Sequence, residues 1–174
     1  EGSQKTASAP KFGQITLSLH KLVGLCYAGD ELIQDSAVSL APLLGTMFSE
    51  AIAFQQDNDF INGTGANQAL GILNAPATVS QAKEAGQAAT SIESANLFNM
   101  KSRLKPRSWA NAVWFAAPNT YPQLRTLSVA VGTGGSVVNL FVDNRLDGVP
   151  IVFTEHCATL GTVGDIILGD WRQY

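Results

Sequence analysis

SLAPLLGTMFSEAIAFQQDNDFINGTGANQALGIL, Ser39–Leu73, is the stretch whose reading decides the fold. Leu40, Leu43, Leu44, Met47, Phe48, Ala51, Ile52 and Phe54 recur at helical spacing. Ser36 or Ser39 starts the helix, and Pro42 falls in its first turn, where the missing N–H costs nothing. The helix is predicted to run to about Phe60, a rod of roughly 30 Å at 1.5 Å per residue, which is long for a small domain. Gly63 and Gly65 stop it.

Upstream, the pattern alternates from Phe12. Ile15, Leu17 and Leu19 face one way, and Thr16, Ser18 and His20 the other. That predicts a strand with one apolar face, continuing through Leu22 and Val23 to Leu25 and Tyr27. Asp30 offers a helix N-cap, with Glu31 and Asp35 suited to an early turn. Downstream, a Gly-, Ala- and Gln-rich region to Ala89 carries one short apolar piece at Leu70–Leu73. Thr90 and Glu93 form a capping box, so Ser91–Leu104 is predicted helical, ended by Pro106. Ala112–Ala117 reads as a short buried strand, Tyr121–Leu127 as a short helix, and Val131–Ser136 as a glycine-rich loop. Gly148–Thr154 and Val163–Leu168 read as apolar strands. The fold class is α+β.

The chain has 174 residues, 45% of them hydrophobic, enough for one domain or two small lobes with a core. Only 14% are charged, against roughly 25% in ordinary soluble domains. A chain this poor in charge is expected to cover part of its surface against another molecule. Net charge is −3, without the basic field that gripping phosphates requires. Leu22–Ala82 has no Lys or Arg, whereas Lys101, Arg103, Lys105 and Arg107 cluster. Acidic and basic stretches, with Glu50 and Asp57 on one side and Arg103, Lys105 and Arg107 on the other, could complement each other between copies. The same cations also suit a helix C-terminus.

The residue types that carry chemistry do not converge. Gly63-Thr64-Gly65 follows a helix instead of a strand, and Gly132-Thr133-Gly134-Gly135 lacks a following Lys-Ser or Lys-Thr, so neither cradles phosphate. No Gly-x-Ser-x-Gly elbow is present. His156 and Cys157 are adjacent and point apart in extended chain, while Cys26 lies in a strand pattern. Two histidines and two cysteines make a poor metal set. Asp57 and Asp59, two apart on a helix, do not face each other. The basic cluster has one neighbouring aromatic, Trp109, too little for stacking single strands. No catalytic residue, metal ligand or cofactor is expected. No apolar run reaches the roughly 18 residues of a membrane span, and there is no signal-peptide pattern.

Five segments, in order, resemble the tailed-phage major capsid protein family, with its Hong Kong phage-type shell fold. FGQITLSLHKLVGLCYAGDELIQDS (Phe12–Ser36) is similar to the returning strand of the family's extended loop and the acidic entry to its spine helix. The long helix then runs into FINGTGANQALGIL (Phe60–Leu73), like the family's N-G-x-G and "GIL" stretch. VWFAAPNTYPQLRTL (Val113–Leu127) resembles its strand, turn and short helix. LDGVPIVFTEHC (Leu146–Cys157) and DIILGDWRQY (Asp165–Tyr174) resemble two later strands.

The resemblance implies the parts: residues 1–22 as the second half of an extended loop, 23–62 as peripheral domain with the spine helix, and 63–174 as mostly axial domain. It implies a fragment lacking both ends. It also implies a structural, non-enzymatic role, self-assembly into pentamers and hexamers around double-stranded DNA held without sequence-specific binding, and location in the virion after assembly in the host cytoplasm. Scaffold, maturation protease and portal proteins are implied as partners. Phe12, Ile15, Leu17 and Leu19 become candidates for covering a neighbouring subunit. If roughly 200–300 Å² of that face were buried, transfer would contribute about 5–8 kcal/mol before ordering costs. Some relatives crosslink loop lysines to a neighbour's asparagines. Lys5 and Lys11 fall in that segment, with nothing local to make them reactive. The rival readings are an encapsulin-like cellular nanocompartment shell and, from another class, a small hydrolase centred on Cys157 or Asp170.

Overall fold

The computed structural model describes Ala9 and residues 18–31, 40–132 and 135–173. Helix α1 spans Leu40–Asn62, as the periodicity predicts. Two short helices follow, α2 at Ser94–Arg103 and α3 at Tyr121–Thr126. The strands are β1 (Val113–Ala116), β2 (Ser128–Val131), β3 (Ser136–Asn139), β4 (Phe141–Val142), β5 (Arg145–Leu146), β6 (Val149–Phe153) and β7 (Ile166–Gly169). The mixed α+β class stands.

A five-stranded mixed sheet, in the order β4-β5-β6-β1-β7, organises the lobe. Strand β1 lies at its heart, parallel to β6 and antiparallel to β7. Alternation along β1 sends side chains to two cores. Trp114 and Ala116 join Ile151 and Ile166 on one face, roofed by Leu97 of α2 and Leu124 of α3. Phe115 points to the other, with Ile61 from the end of α1, Ile167, Cys157, Leu73 and Trp171. The buried Trp114 indole N–H donates to Leu146 O at 3.1 Å, so the largest core side chain leaves no polar atom unsatisfied.

Five points differ from expectation. Residues 18–29 carry no strand; they are exposed and irregular apart from Ala28, which is half-buried. An alternating pattern alone cannot make a strand without a paired neighbour, and none lies beside them among the described residues. Asp30 and Glu31 are already helical, while Asp35 lies outside the described residues. The capping box sits three residues later than Thr90/Glu93. Glu93 is the N-cap of α2, and Asn96 Oδ1 reaches back to accept the Glu93 N–H at 2.9 Å. Thr90 instead offers its carbonyl to Gln123 Nε2.

The supposed loop at Val131–Ser136 contains the paired ends of a hairpin. Strands β2 and β3 form a separate two-stranded ribbon, Val131 opposite Ser136, and Thr133 and Gly134 between them lie outside the described residues. Finally, β4 and β5 were not anticipated. Asp143 and Asn144 both have positive φ, as do Asp147 and Gly148. These are two successive two-residue hairpin turns, and Asp-Gly was a legible signal for the second.

Candidate assembly surfaces

The clearest candidate surface is α1 itself. Of its 23 residues only Ile61 is buried. Leu43, Met47 and Phe54, which recur along one stripe, are each half exposed or more, at 50%, 56% and 50%. The first half of the helix meets the incoming chain, where Gly24 lies so close to the Phe48 ring that an added Cβ would stand 3.0 Å from it. Leu22, Val23, Leu25 and Tyr27 of that incoming chain are exposed too, and Leu19 is fully so. Phe12, Ile15 and Leu17, with Lys5 and Lys11, lie outside the described residues.

The far end of α1 is tied down firmly. Asn62 Nδ2 donates to His156 O at 2.8 Å and to Asn58 Oδ1 at 2.9 Å, and the Phe54 and His156 rings meet at 4.4 Å. Asn74 Nδ2 donates to the carbonyls of Asn62 and Gly63, both at 3.0 Å, capping the helix end. The chain then loops from Gly63 to Gly71 and closes on itself, with Gly71 N–H donating to Gly63 O at 2.8 Å. A Cβ on Gly63 would overlap Ala69 O, and one on Gly71 would overlap Gly63 N. The N-G-T-G motif is thus a backbone clasp between rod and lobe, not a phosphate cradle.

The charged candidates separate by environment. Glu50 and Asp57, seven residues apart on one side of α1, are both exposed. In the basic cluster Lys101 is engaged internally. Its Nζ lies 2.6 Å from Asp147 Oδ2 and 3.0 Å from Asp147 O, pinning the turn before β6. Arg103 Nη1 donates to Ser80 O at 3.2 Å. Lys105 and Arg107 are exposed.

Groups for catalysis are badly placed. Cys157 is buried, and its thiol is pushed up to about 11, by burial first and by the Asp165 charge second. At neutral pH the thiolate would be on the order of one part in ten thousand. The neighbouring His156 turns away to Phe54. Asp165 spends its carboxylate on the backbone N–H groups of Gly161 and Ile166. Among the described residues no three His, Cys, Asp or Glu side chains cluster as a metal site, and no helix is long and apolar enough to cross a membrane. An open cleft of about 500 Å³ lies between α2, residues 77–83 and β7. Leu97, Met100, Leu104, Ile166 and Leu168 line it at the margin of the core, together with Lys83, Gln87, Asn96, Arg103 and Asp165.

Sequence reasoning passed over Gln87. It is buried, accepts the Glu84 N–H through Oε1, and donates through Nε2 to Ser91 O and Asn96 Oδ1. It holds the irregular 80–91 stretch against α2, and a lone Gln in a Gly- and Ala-rich segment gives no sign of that.

A family model described as "Phage capsid family" matches residues 1–174. No curated protein matches the chain by sequence. Solved structures similar to it include two capsids. The capsid of an empty GTA (gene transfer agent) particle, computed with C5 symmetry, superposes with a TM-score of 0.69 at 21% identity over 98% of this chain. The capsid of a native GTA particle superposes with a TM-score of 0.62 at 19% identity over 83%. The chain spans 64% and 53% of the length of those two capsid chains.

Proposed function

The chain belongs to the phage capsid family, and from that premise we propose that it is a structural, non-enzymatic subunit of an icosahedral phage or prophage shell, joining copies of itself in pentamers and hexamers around double-stranded DNA. One observation carries the reading beyond family membership: a helix of 23 residues stands with a single residue buried and its apolar stripe bare. Exposed apolar surface of that extent marks an interaction site. Closed rings of identical contacts, repeated by symmetry, turn weak contacts into a stable container.

The division of labour follows the same logic. Residues 1–22 form the second half of the extended loop, with Phe12, Ile15, Leu17 and Leu19 covering a neighbour. Residues 23–62 form the peripheral part with the spine helix, and residues 63–174 mostly the axial domain. Glu50 and Asp57 of one copy face Arg103, Lys105 and Arg107 of another. Net charge of −3 suits a wall that encloses DNA without gripping it. Scaffold, maturation protease and portal proteins act on the assembling shell in the host cytoplasm, and the finished subunit resides in the virion. The suppressed thiolate of Cys157 argues against a thiol hydrolase.

The test is expression of the full-length protein followed by negative-stain microscopy. Closed shells are expected. A lone, soluble subunit at high concentration would end the proposal. DNA-filled particles, as opposed to particles loaded with enzyme, separate the phage shell from a cellular compartment. Arg103→Glu with Lys105→Glu should lower assembly yield most at low salt; an unchanged yield across salt concentrations removes the charge pairing alone.

A further inference from the structure

The β2–β3 ribbon stands apart from the main sheet. It is two strands wide, and among the described residues neither outer edge is paired. Its root is fixed, because Leu140 N–H donates to Leu127 O at 3.1 Å and Leu140 is buried in the core. Beyond that root only Val129 packs against the core among the described residues, and the rest of the ribbon is exposed. Val137 is 62% exposed, Val138 55% and Val131 52%. The register places Val138 opposite Val129 and Val137 opposite Ala130, so valines stand on both faces of the ribbon.

An isolated two-stranded ribbon is marginally stable in water, and exposed edges invite pairing. Proteins that keep such edges single guard them with charge, proline or a bulge. This one has no such charge or proline: from Thr126 to Val142 there is no Lys, Arg, His, Asp, Glu or Pro. That composition also narrows the occupant. Nucleic acid would need cations, and a charged partner would need a counter-charge; the ribbon has neither. A second copy of the same ribbon brings matching apolar faces and an edge in the same state.

We propose that the ribbon is a ring-closing contact between copies, the free edge of β2 on one subunit adding to the free edge of β3 on the next. This rests on the shell reading above. The contact is head-to-tail, so each subunit offers one edge and accepts another, and such a contact closes when its rotation closes. Backbone pairing gives the affinity, and the valines exclude water from it.

The experiment uses the full-length protein. Val137→Lys with Val138→Lys places charge on both faces at exposed positions. The unassembled variant is expected to melt within a few degrees of wild type, while its assembled fraction in sedimentation falls at least tenfold. Assembly at the wild-type level overturns the ribbon contact and leaves the shell reading intact. Wild-type protein that forms no shell at all overturns both. Hydrogen exchange on wild-type protein decides the matter even if the variant misfolds. The 127–140 peptide should exchange at least tenfold more slowly in shells than in free subunits. Equal rates in both, including protection already complete in the free subunit, overturn the inference by showing an edge that stays open or is covered by its own chain.

Discussion

Strand β1 and helix α1 invert the usual relation between size and burial. Strand β1 has four residues, and two of them, Trp114 and Ala116, are fully buried. Helix α1 has 23 and buries one. The strand is complete within this chain: it has a neighbour on each side and a core on each face. Among the described residues the helix joins a core through its last turn, at Ile61. The two regions are therefore built to different ends, one to hold a shape and the other to present a surface.

The contrast can be broken by substitution. Trp114→Ala should cost the most, about 3–5 kcal/mol by loss of a fully buried aromatic, read as a fall in the midpoint of thermal or denaturant unfolding. A loss under about 1 kcal/mol would mean that the lobe is not the stable unit. Gly71→Ala tests the joint between the regions. The added methyl must displace the Gly63 backbone, and about 3 kcal/mol of destabilisation is expected from a forced backbone shift. If the unfolding midpoint does not move, the clasp is softer than its contacts imply.

Asn74→Ala sharpens the same point at lower amplitude. It leaves the carbonyls of Asn62 and Gly63 without that donor, at about 1–2 kcal/mol, and should speed hydrogen exchange in the last turn of α1 more than in β1. Met47→Ala should be nearly silent in the unassembled subunit, within about 0.5 kcal/mol, yet reduce assembly of the full-length protein. A large stability loss from Met47→Ala in the free subunit would show that α1 is covered by its own chain, and the contrast would vanish.

What the residues revealed in advance follows the same divide. The rod was legible because apolar residues recur at helical spacing from Leu40 to Phe54, and β1, β6 and β7 were legible as compact apolar runs. The ribbon was not, because glycine density in Gly132–Gly135 reads as a loop whether or not strands flank it. The start of α2 was missed by three residues, since Thr90 and Glu93 fit the capping pattern better than the Glu93 and Asn96 that form the box, and Gln123's hold on the Thr90 carbonyl lies 33 residues away. The basic cluster was visible as charge. That Lys101 is committed to Asp147 depended on a hairpin turn 46 residues downstream, which charge spacing cannot show. For the assembly surfaces, sequence identified apolar and charged positions, and the structure added which of them the chain leaves bare.

The Gly63–Gly71 clasp has a consequence for how such a chain can vary. Its contact is made by main-chain atoms, with side chains excluded at the two positions that touch. The exit of the rod therefore depends on those two positions staying empty and on the Asn62 and Asn74 amides that hold the helix end. A side-chain-free crossing of this kind fixes where the rod leaves the lobe by what two residues lack.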